Sequence, residues 1–185
     1  MLLIAQLMWA VLLLYWLAAS FSQKPTKKQE GAGRRIYQAF FALAAVLMVI
    51  RRLPFPFLDH LVFPRPYGWR IAGLLLNALG IGYALWARTL LGRNWSGRIT
   101  IKEEHSLITR GPYRITRHPI YAGILWGIFG YALLEGTWNA CLVVLLLLVG
   151  LLIKIHQEEQ FLQEAFGEQY HRYARRVKRL VPFLW

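Results

Sequence analysis

The densest group of chemically capable side chains lies in one short stretch of the chain. Arg110-Gly-Pro-Tyr113 is followed by Arg117-His-Pro-Ile-Tyr-Ala-Gly123, so guanidinium, imidazole and phenol groups precede a long apolar segment. Ionisable groups are costly in a bilayer unless they serve a site or lie at its water interface. The stretch therefore indicates a binding or catalytic site at the entrance of a membrane helix.

A pair of carboxylates follows the last apolar segment. Glu158 and Glu159 lie about one helical turn after Lys154, where the predicted helix leaves the bilayer. Nine residues of the chain are acidic, and four of them fall between Glu158 and Glu168. Carboxylates form strong charge-assisted hydrogen bonds to cationic groups. The residues alone leave two interpretations open, a site for a cation and solvated charges at the membrane surface.

The composition is that of a membrane protein. Of 185 residues, 57% are hydrophobic and 15% aromatic, and the mean hydropathy is +0.37, which is too apolar for an ordinary soluble domain. We expect a single membrane domain over residues 1–185, with a three-helix part in residues 1–91 and a catalytic core in residues 92–185. The single cysteine, Cys141, cannot form an intrachain disulfide, and we interpret it as a small packing residue.

Five apolar segments approach the roughly 20 residues that cross a hydrocarbon core. They cover residues 2–21, 36–50, 69–91, 119–134 and 138–155. The turn Glu135-Gly-Thr137 predicts a tight hairpin between the last two. Ala18-Ala-Ser20 resembles a signal cleavage site, but the first segment has no positive region before it, so we interpret it as a retained helix. The sequence predicts an all-α integral membrane protein with five transmembrane helices.

Lysine and arginine are distributed unequally between the two sides of these segments. Eighteen of the 22 lie in residues 24–35, 88–117 and 154–179, and the other four are Arg51, Arg52, Arg65 and Arg70. Because basic loops stay in the cytoplasm, the amino terminus should lie outside and the carboxyl terminus and candidate site inside. This asymmetry also accounts for the net charge of +13 without a nucleic-acid partner.

The connection before the fourth segment, residues 92–118, is long, and its aromatic and apolar content predicts an ordered part of a pocket. Polar and apolar residues alternate over residues 98–102, which suggests a short extended segment. Pro119 suits the first turn of the next helix, with His118 at its cap and Tyr121 on the same side. The free amides there favour an anion. The alternative for His118 and Tyr121 is an interfacial belt.

Two further patterns concern packing. Gly123 and Gly127 are four positions apart, the small-xxx-small pattern of closely packed membrane helices. This pattern permits a neighbouring helix or a ligand to approach the backbone. After residue 155, apolar residues recur at intervals of three and four, which predicts an amphipathic helix in the tail. Gly167 should break or bend that helix.

These parts together resemble the isoprenylcysteine carboxyl methyltransferase family. The resemblance covers roughly residues 91–185, in the family's order. Its parts are Ser106-Leu-Ile-Thr-Arg-Gly-Pro-Tyr113, Arg117-His-Pro-Ile-Tyr-Ala-Gly123, Glu158-Glu159, and the tail from Phe166 to Phe183. The Arg-His-Pro-x-Tyr-x-Gly element alone is less specific, because membrane sterol reductases carry a similar one and phospholipid methyltransferases a looser one.

The resemblance implies an enzyme that binds S-adenosylmethionine without a Rossmann domain, and the sequence has no Gly-x-Gly-x-x-Gly element. It implies a cytosolic pocket formed by the loop before the fourth helix, the start of that helix and the tail helices. The implied cofactor-binding residues are His105, Leu107, Gly111, Tyr113, His118, Pro119, Tyr121, Glu158 and Glu159. The implied catalytic residues are Arg117, Arg176 and Glu159, and no metal site is expected.

The chemistry of these residue types fits methyl transfer. Carboxylates suit the donor's sulfonium and ammonium groups, and His118 or the helix amides suit its carboxylate. A carboxylate acceptor is already ionised at neutral pH, so catalysis needs alignment but no general base. Arg117 or Arg176 would hold such an acceptor with a planar fork. We expect a lipophilic or prenylated acceptor at the membrane surface, either prenylcysteine-like or another lipid carboxylate.

Three alternatives remain from the sequence. An NADPH-dependent membrane sterol or steroid reductase would share the Arg-His-Pro-x-Tyr element but would need more contacts for a dinucleotide. A phospholipid amine N-methyltransferase would need a group to take the proton of its amine before attack. A non-enzymatic membrane scaffold would bind no cofactor.

Overall fold

The computed structural model describes residues 1–20, 26–29, 34–49, 56–62, 64–92, 100–102 and 107–181. These residues form six α-helices: α1 (Leu2–Ser20), α2 (Arg34–Val49), α3 (Tyr67–Leu91), α4 (Pro119–Glu135), α5 (Trp138–Phe166) and α6 (Glu168–Arg176). Two short strands, β1 (Thr26–Gln29) and β2 (Thr100–Lys102), pair antiparallel. A helix covers each of the five apolar segments, and β2 confirms the extended piece before the fourth.

The helix ends follow the sequence signals. Gly136 closes α4 with a φ of 67°, and the Thr137 hydroxyl accepts the Ala140 N–H at 3.3 Å, so the predicted hairpin turn is confirmed. The apolar segment ends at residue 155, and α5 continues from it without a break to Phe166, so the predicted amphipathic tail helix begins as the second half of α5. Its polar half contains Gln, Glu, Leu and Ala, which are good helix formers. The break comes at Gly167, as predicted, with a φ of 47°.

Two of the helices have the length and hydropathy of a membrane span, α3 and α5. Shorter apolar helices cover Leu2–Ala18, Arg35–Met48 and Pro119–Glu135, so the count of five spans stays a prediction. Leu79 is 71% exposed on α3 and Leu145 is 54% exposed on α5. Such surfaces suit lipid better than water.

Close packing of α3 on α4 fixes the position of the predicted entrance helix. A Cβ on Gly123 would lie 2.5 Å from the Gly80 carbonyl oxygen and 2.7 Å from the Ala84 nitrogen. The Asn77 amide donates to the Gly127 carbonyl at 2.8 Å. Gly123 and Gly127 therefore allow two helix backbones to approach, which supports the packing interpretation of their spacing.

The hydrophobic core lies mainly between α1, α2, α4 and α5. Its buried members include Ala5, Ala44, Ile128, Leu134 and Val143. Since α2 also packs on α5 and α4 forms a hairpin with α5, the start of α4, the start of α2 and the polar end of α5 lie at the same end of the bundle. The candidate site is at this end.

Candidate functional site

The segment after α6 pairs with the residues that precede α4. The Arg117 N–H donates to the Lys178 carbonyl at 2.7 Å, and the His118 N–H donates to the Arg179 carbonyl at 3.1 Å. Thr116 and Lys178 form a parallel bridge. The tail is therefore held beside the N-terminus of α4, and the two halves of the predicted site meet.

Glu159 is the centre of an ionic cluster. Its Oε1 accepts from Arg117 Nε at 2.8 Å, lies 2.7 Å from Arg117 Nη2, and lies 3.3 Å from His118 Nε2. Its Oε2 lies 2.9 Å from both Nε and Nη2 of Arg179. Glu159 is 5% exposed. A carboxylate buried this deeply needs such partners to offset its loss of hydration, and here both of its oxygens are engaged.

Arg117 links this cluster to the end of α6. Its Nη1 donates to the Ala174 carbonyl at 2.9 Å and to the Val177 carbonyl at 2.6 Å. The last carbonyls of a helix lack intrahelical partners and carry partial negative charge, so a guanidinium is well suited to this position. The side chain thus holds α5, α6 and the start of α4 together.

A second layer lies beside the ionic cluster. The His118 and Tyr121 rings are stacked, with centroids 5.6 Å apart and an interplanar angle of 7°. The Tyr121 hydroxyl donates to Glu158 Oε2 at 2.8 Å, and His118 Nδ1 lies 3.9 Å from the same oxygen. The Glu158 side chain is 31% exposed, against 7% for Glu159. Glu158 is therefore the more accessible of the two carboxylates.

The loop before α4 contains a short 3-10 helix, Gly111–Arg114, on another side of the candidate site. Gly111 has a φ of 59°, a left-handed conformation that favours glycine, and a Cβ there would lie 2.9 Å from Leu90 Cδ2. The Tyr113 carbonyl accepts from the Tyr173 hydroxyl on α6 at 2.6 Å. Burial raises the pKa of both Tyr113 and Tyr173 above the ordinary value, so both phenols stay neutral.

An open cavity of about 470 Å³ lies against the ionic cluster. Its lining residues are Arg117, Glu159, Gln163, Glu168, His171, Ala174, Arg175 and Arg179. The volume is within the range of small-molecule sites, and its wall carries both cations and carboxylates. Within the described ranges no group of three His, Cys, Asp or Glu side chains could hold a metal ion.

The structure brings most of the predicted site residues to one place. Six of them form the two layers at the start of α4 and the end of α5: Arg117, His118, Pro119, Tyr121, Glu158 and Glu159. Tyr113 joins them through its bond to Tyr173 of α6, and Gly111 packs against Leu90 of α3. Leu107 is half-buried at the start of a described segment, and His105 lies outside the described residues.

One predicted residue has a different position. Arg176 is exposed on α6, and Arg179 is the tail arginine that contacts Glu159. Sequence reasoning missed Arg179 and Tyr173. A signal for Arg179 was present in the basic tail, but which arginine faces inward depends on where α6 ends.

Comparison with known proteins identifies the fold and the family. The model of the isoprenylcysteine carboxyl methyltransferase (ICMT) family matches residues 72–164, about half of the chain. The chain belongs to the isoprenylcysteine carboxyl methyltransferase family. Membership places it among membrane carboxyl methyltransferases, so the predicted family and enzyme class are confirmed.

Individual members of the isoprenylcysteine carboxyl methyltransferase family agree with this assignment. The "Probable protein-S-isoprenylcysteine O-methyltransferase" of Oryza sativa subsp. indica is 32% identical, over 82% of this chain and 84% of its own length. The "Protein-S-isoprenylcysteine O-methyltransferase B" of Arabidopsis thaliana is 33% identical, over 78% and 74%.

A solved structure shares the fold. It is the "eukaryotic intramembrane Ras methyltransferase ICMT", with a TM-score of 0.58 and 24% identity, over 81% of this chain and 53% of that chain. This chain therefore spans about half the length of the solved eukaryotic protein, and the likeness concerns the fold alone.

Proposed function

We propose that this protein transfers the methyl group of S-adenosylmethionine to the carboxylate of a lipidic acceptor, prenylcysteine-like or another lipid, at the cytoplasmic membrane interface. The observation that carries the proposal is the meeting of His118, Tyr121 and Glu158 with the Arg117–Glu159–Arg179 cluster at one end of the α4–α5 hairpin. Family membership supports the reaction class, and this geometry supports the location.

The residues present suit the methyl donor. Its sulfonium and ammonium groups require negative charge or aromatic faces, and its carboxylate requires cations. Glu158 is accessible and lies beside the stacked Tyr121 and His118 rings. The adjoining cavity carries His171 and Arg175. We assign the donor to this cavity together with the His118–Tyr121–Glu158 layer.

The two carboxylates have different roles in this proposal. Glu159 lines the cavity, but its oxygens are held by Arg117 and Arg179, and releasing either arginine would leave a buried charge without compensation. We therefore assign Glu159 to holding the tail closed over the site. Glu158, with Tyr121 as its close partner, is assigned to the donor's cationic groups.

Methyl transfer to a carboxylate makes few demands on protein groups. The acceptor oxygen forms a bond to the methyl carbon while the carbon–sulfur bond breaks and its electron pair goes to sulfur. No proton moves, so the protein must exclude water and align three atoms. Pro119 and Gly111 fix the backbone around that space, and His105, Leu107 and Tyr113 belong to the proposed wall. Arg176, exposed on α6, is free of the Glu159 cluster, and we retain it as a candidate for the acceptor.

The proposed orientation has the site in the cytoplasm and the amino terminus outside. Eighteen of the 22 basic residues fall in the sequence segments 24–35, 88–117 and 154–179, and segments rich in lysine and arginine beside a membrane helix stay cytoplasmic. At the opposite end, Arg65 donates to the Glu135 carbonyl at 3.0 Å. Cysteine accessibility labelling of the two ends in intact cells tests the orientation, and external labelling near Arg175 would overturn it.

Calorimetric titration of the purified protein in lipid nanodiscs tests the proposed donor. S-adenosylmethionine and its demethylated product should bind, and NADPH should not. Glu158→Gln should weaken donor binding at least about tenfold, which is about 1.4 kcal/mol. Glu164→Gln, an exposed carboxylate on the same helix, is the matched control and should leave it unchanged. Binding of NADPH instead of S-adenosylmethionine would indicate the reductase alternative.

Transfer of a labelled methyl group tests the acceptor. The free acid of a farnesylated cysteine and a phospholipid amine are offered separately. The proposal requires base-labile label, as in a methyl ester, on the carboxylate. Label on the amine alone would indicate the N-methyltransferase alternative.

A further inference from the structure

The tail returns to the apolar part of the bundle after α6. Leu180 is 3% exposed and packs with Ala122 of α4 and Ile155 of α5. Ala122 and Ile155 belong to the ends of the fourth and fifth apolar segments that are nearest to the candidate site. Lys178 precedes Leu180 by two residues, which span at most about 7 Å. In the proposed orientation Lys178 therefore lies at the level of the cytoplasmic lipid headgroups.

A second cation lies close to Lys178. Thr116 and Lys178 form a parallel bridge, and Arg114 precedes Thr116 by two residues, at the end of the short 3-10 helix. Paired strands are about 5 Å apart, so the Cα atoms of Arg114 and Lys178 lie within roughly 12 Å of each other. Two such long side chains can contact one ligand from this separation.

The surface formed by Arg114, Ile115 and Lys178 has the chemistry of a headgroup contact. Arg114 and Lys178 are exposed, and none of the ion pairs within the described part of the chain includes either of them. Ile115 is 43% exposed. An exposed apolar side chain beside two cations suits the boundary at which acyl chains meet phosphate groups.

We propose that the Arg114–Ile115–Lys178 surface binds an anionic phospholipid, and that this lipid holds the tail closed over the donor site. The proposal rests on the function proposed above and names a lipid that regulates it. The two cations contact the phosphate, and Ile115 lies among the acyl chains. The Lys178 carbonyl accepts from the Arg117 N–H at 2.7 Å, next to His118 of the donor layer. A headgroup that fixes Lys178 therefore stabilises the backbone pairing that keeps the tail in place.

Calorimetric titration in nanodiscs tests this coupling between lipid and donor. The wild type should bind S-adenosylmethionine about fivefold more tightly in equal parts of phosphatidylcholine and phosphatidylglycerol than in phosphatidylcholine alone. In the double variant Arg114→Gln/Lys178→Gln this difference should fall below about twofold, with the wild-type affinity retained in phosphatidylcholine alone. Arg70→Gln, which removes an exposed arginine at the opposite end of α3, is the control and should keep the full difference.

Native mass spectrometry of the protein taken from the mixed lipid tests the surface without the donor. The double variant should retain at least about twofold less phosphatidylglycerol than the wild type, and Arg70→Gln should match the wild type. Equal retention by the wild type and the double variant would overturn the proposal. A lipid effect on donor affinity that survives the double substitution would do the same.

Two further results separate this proposal from its alternatives. Inorganic phosphate added to the phosphatidylcholine nanodiscs should not reproduce the effect of phosphatidylglycerol, and if it did, the surface would bind a soluble anion and the lipid proposal would be wrong. Failure of the proposed function has a different result, because the wild type would then bind no S-adenosylmethionine in either lipid. The retention of phosphatidylglycerol would still test the surface.

Discussion

Arg179 donates from both Nε and Nη2 to the same oxygen of Glu159, at 2.9 Å each. Glu159 belongs to α5, which has the length and hydropathy of a membrane span, whereas Arg179 belongs to the irregular tail after α6. The ion pair therefore adds to the backbone bonds from Arg117 and His118 that fix the carboxyl-terminal segment beside α4. The other oxygen of Glu159 contacts Arg117. The Glu159 carboxylate therefore joins α5, the residues before α4 and the tail.

Loss of the Glu159 charge should destabilise the fold. In Glu159→Gln the Arg117 guanidinium, 10% exposed, remains buried without its anionic partner, a change that typically costs about 3–5 kcal/mol. Thermal unfolding in detergent should show a large decrease in Tm. Glu164→Gln is the control, with little change expected. An unchanged Tm in Glu159→Gln would show that the cluster does not hold the tail.

The two tail arginines should behave differently. Arg179→Ala removes one side of the cluster, but its side chain is 36% exposed, so the expected loss of stability is about 1 kcal/mol. Arg176→Ala, at an exposed position, should change stability by less than about 0.5 kcal/mol. Limited proteolysis of the tail measures the difference. Faster cleavage in Arg176→Ala than in Arg179→Ala would contradict this assignment.

The contact between α3 and α4 should not tolerate a methyl group. Gly123→Ala would place Cβ within 2.5 Å of the Gly80 carbonyl oxygen, and overpacking of this kind costs about 1–3 kcal/mol or more. Gly82→Ala is a matched control on α3, since nothing lies within 4 Å of its Cβ position. It should be neutral or slightly stabilising, because alanine is the better helix former. Equal Tm values for the two variants would contradict the packing.

Alkaline pH should destabilise the protein through its buried phenols. Tyr113 and Tyr173 have folded-state pKa values raised above the ordinary 10.0 by burial. Above that value the unfolded chain loses these protons first, so stability is complete below pH 10 and falls as pH rises further. Tyrosinate absorbance should therefore show groups that ionise only on unfolding.

Tyr173→Phe provides the matching variant. It loses the hydrogen bond to the Tyr113 carbonyl, which costs about 1 kcal/mol at neutral pH. It should also show a shallower decline in Tm above pH 10 than the wild type. Tyr67→Phe, at a 70% exposed position, should match the wild type in both respects. A wild-type Tm that stays constant to high pH would exclude buried neutral phenols.

Local signals in the sequence predicted much of this architecture. Apolar length predicted the positions of five helices, Pro119 predicted the start of α4, and glycine predicted the turn at Gly136 and the bend at Gly167. These features depend on a few consecutive residues. The motif around His118 and the Glu158–Glu159 pair predicted that two distant segments share a site, because residue chemistry and family resemblance agreed.

The remaining features depend on tertiary packing. The position of Lys154 between Tyr37 and Tyr121 requires α2 to pack on α5, which no local pattern specifies. Which tail arginine contacts Glu159, Arg179 or Arg176, depends on where α6 ends and on the backbone pairing of Lys178 with Thr116. The sequence predicted an apolar segment to residue 155 and an amphipathic helix after it, and in the structure both belong to one helix, α5.

The unbroken course of α5 relates the reaction to the dimensions of the lipid. From Trp138, which is 52% exposed, to Glu158 the helix rises about 30 Å, the thickness of a typical hydrocarbon layer. In the proposed orientation, with the tryptophan at one headgroup boundary, the carboxylate would reach the other. A thinner bilayer would tilt this helix and shift Glu158 relative to the acceptor, so turnover in nanodiscs should depend on acyl-chain length.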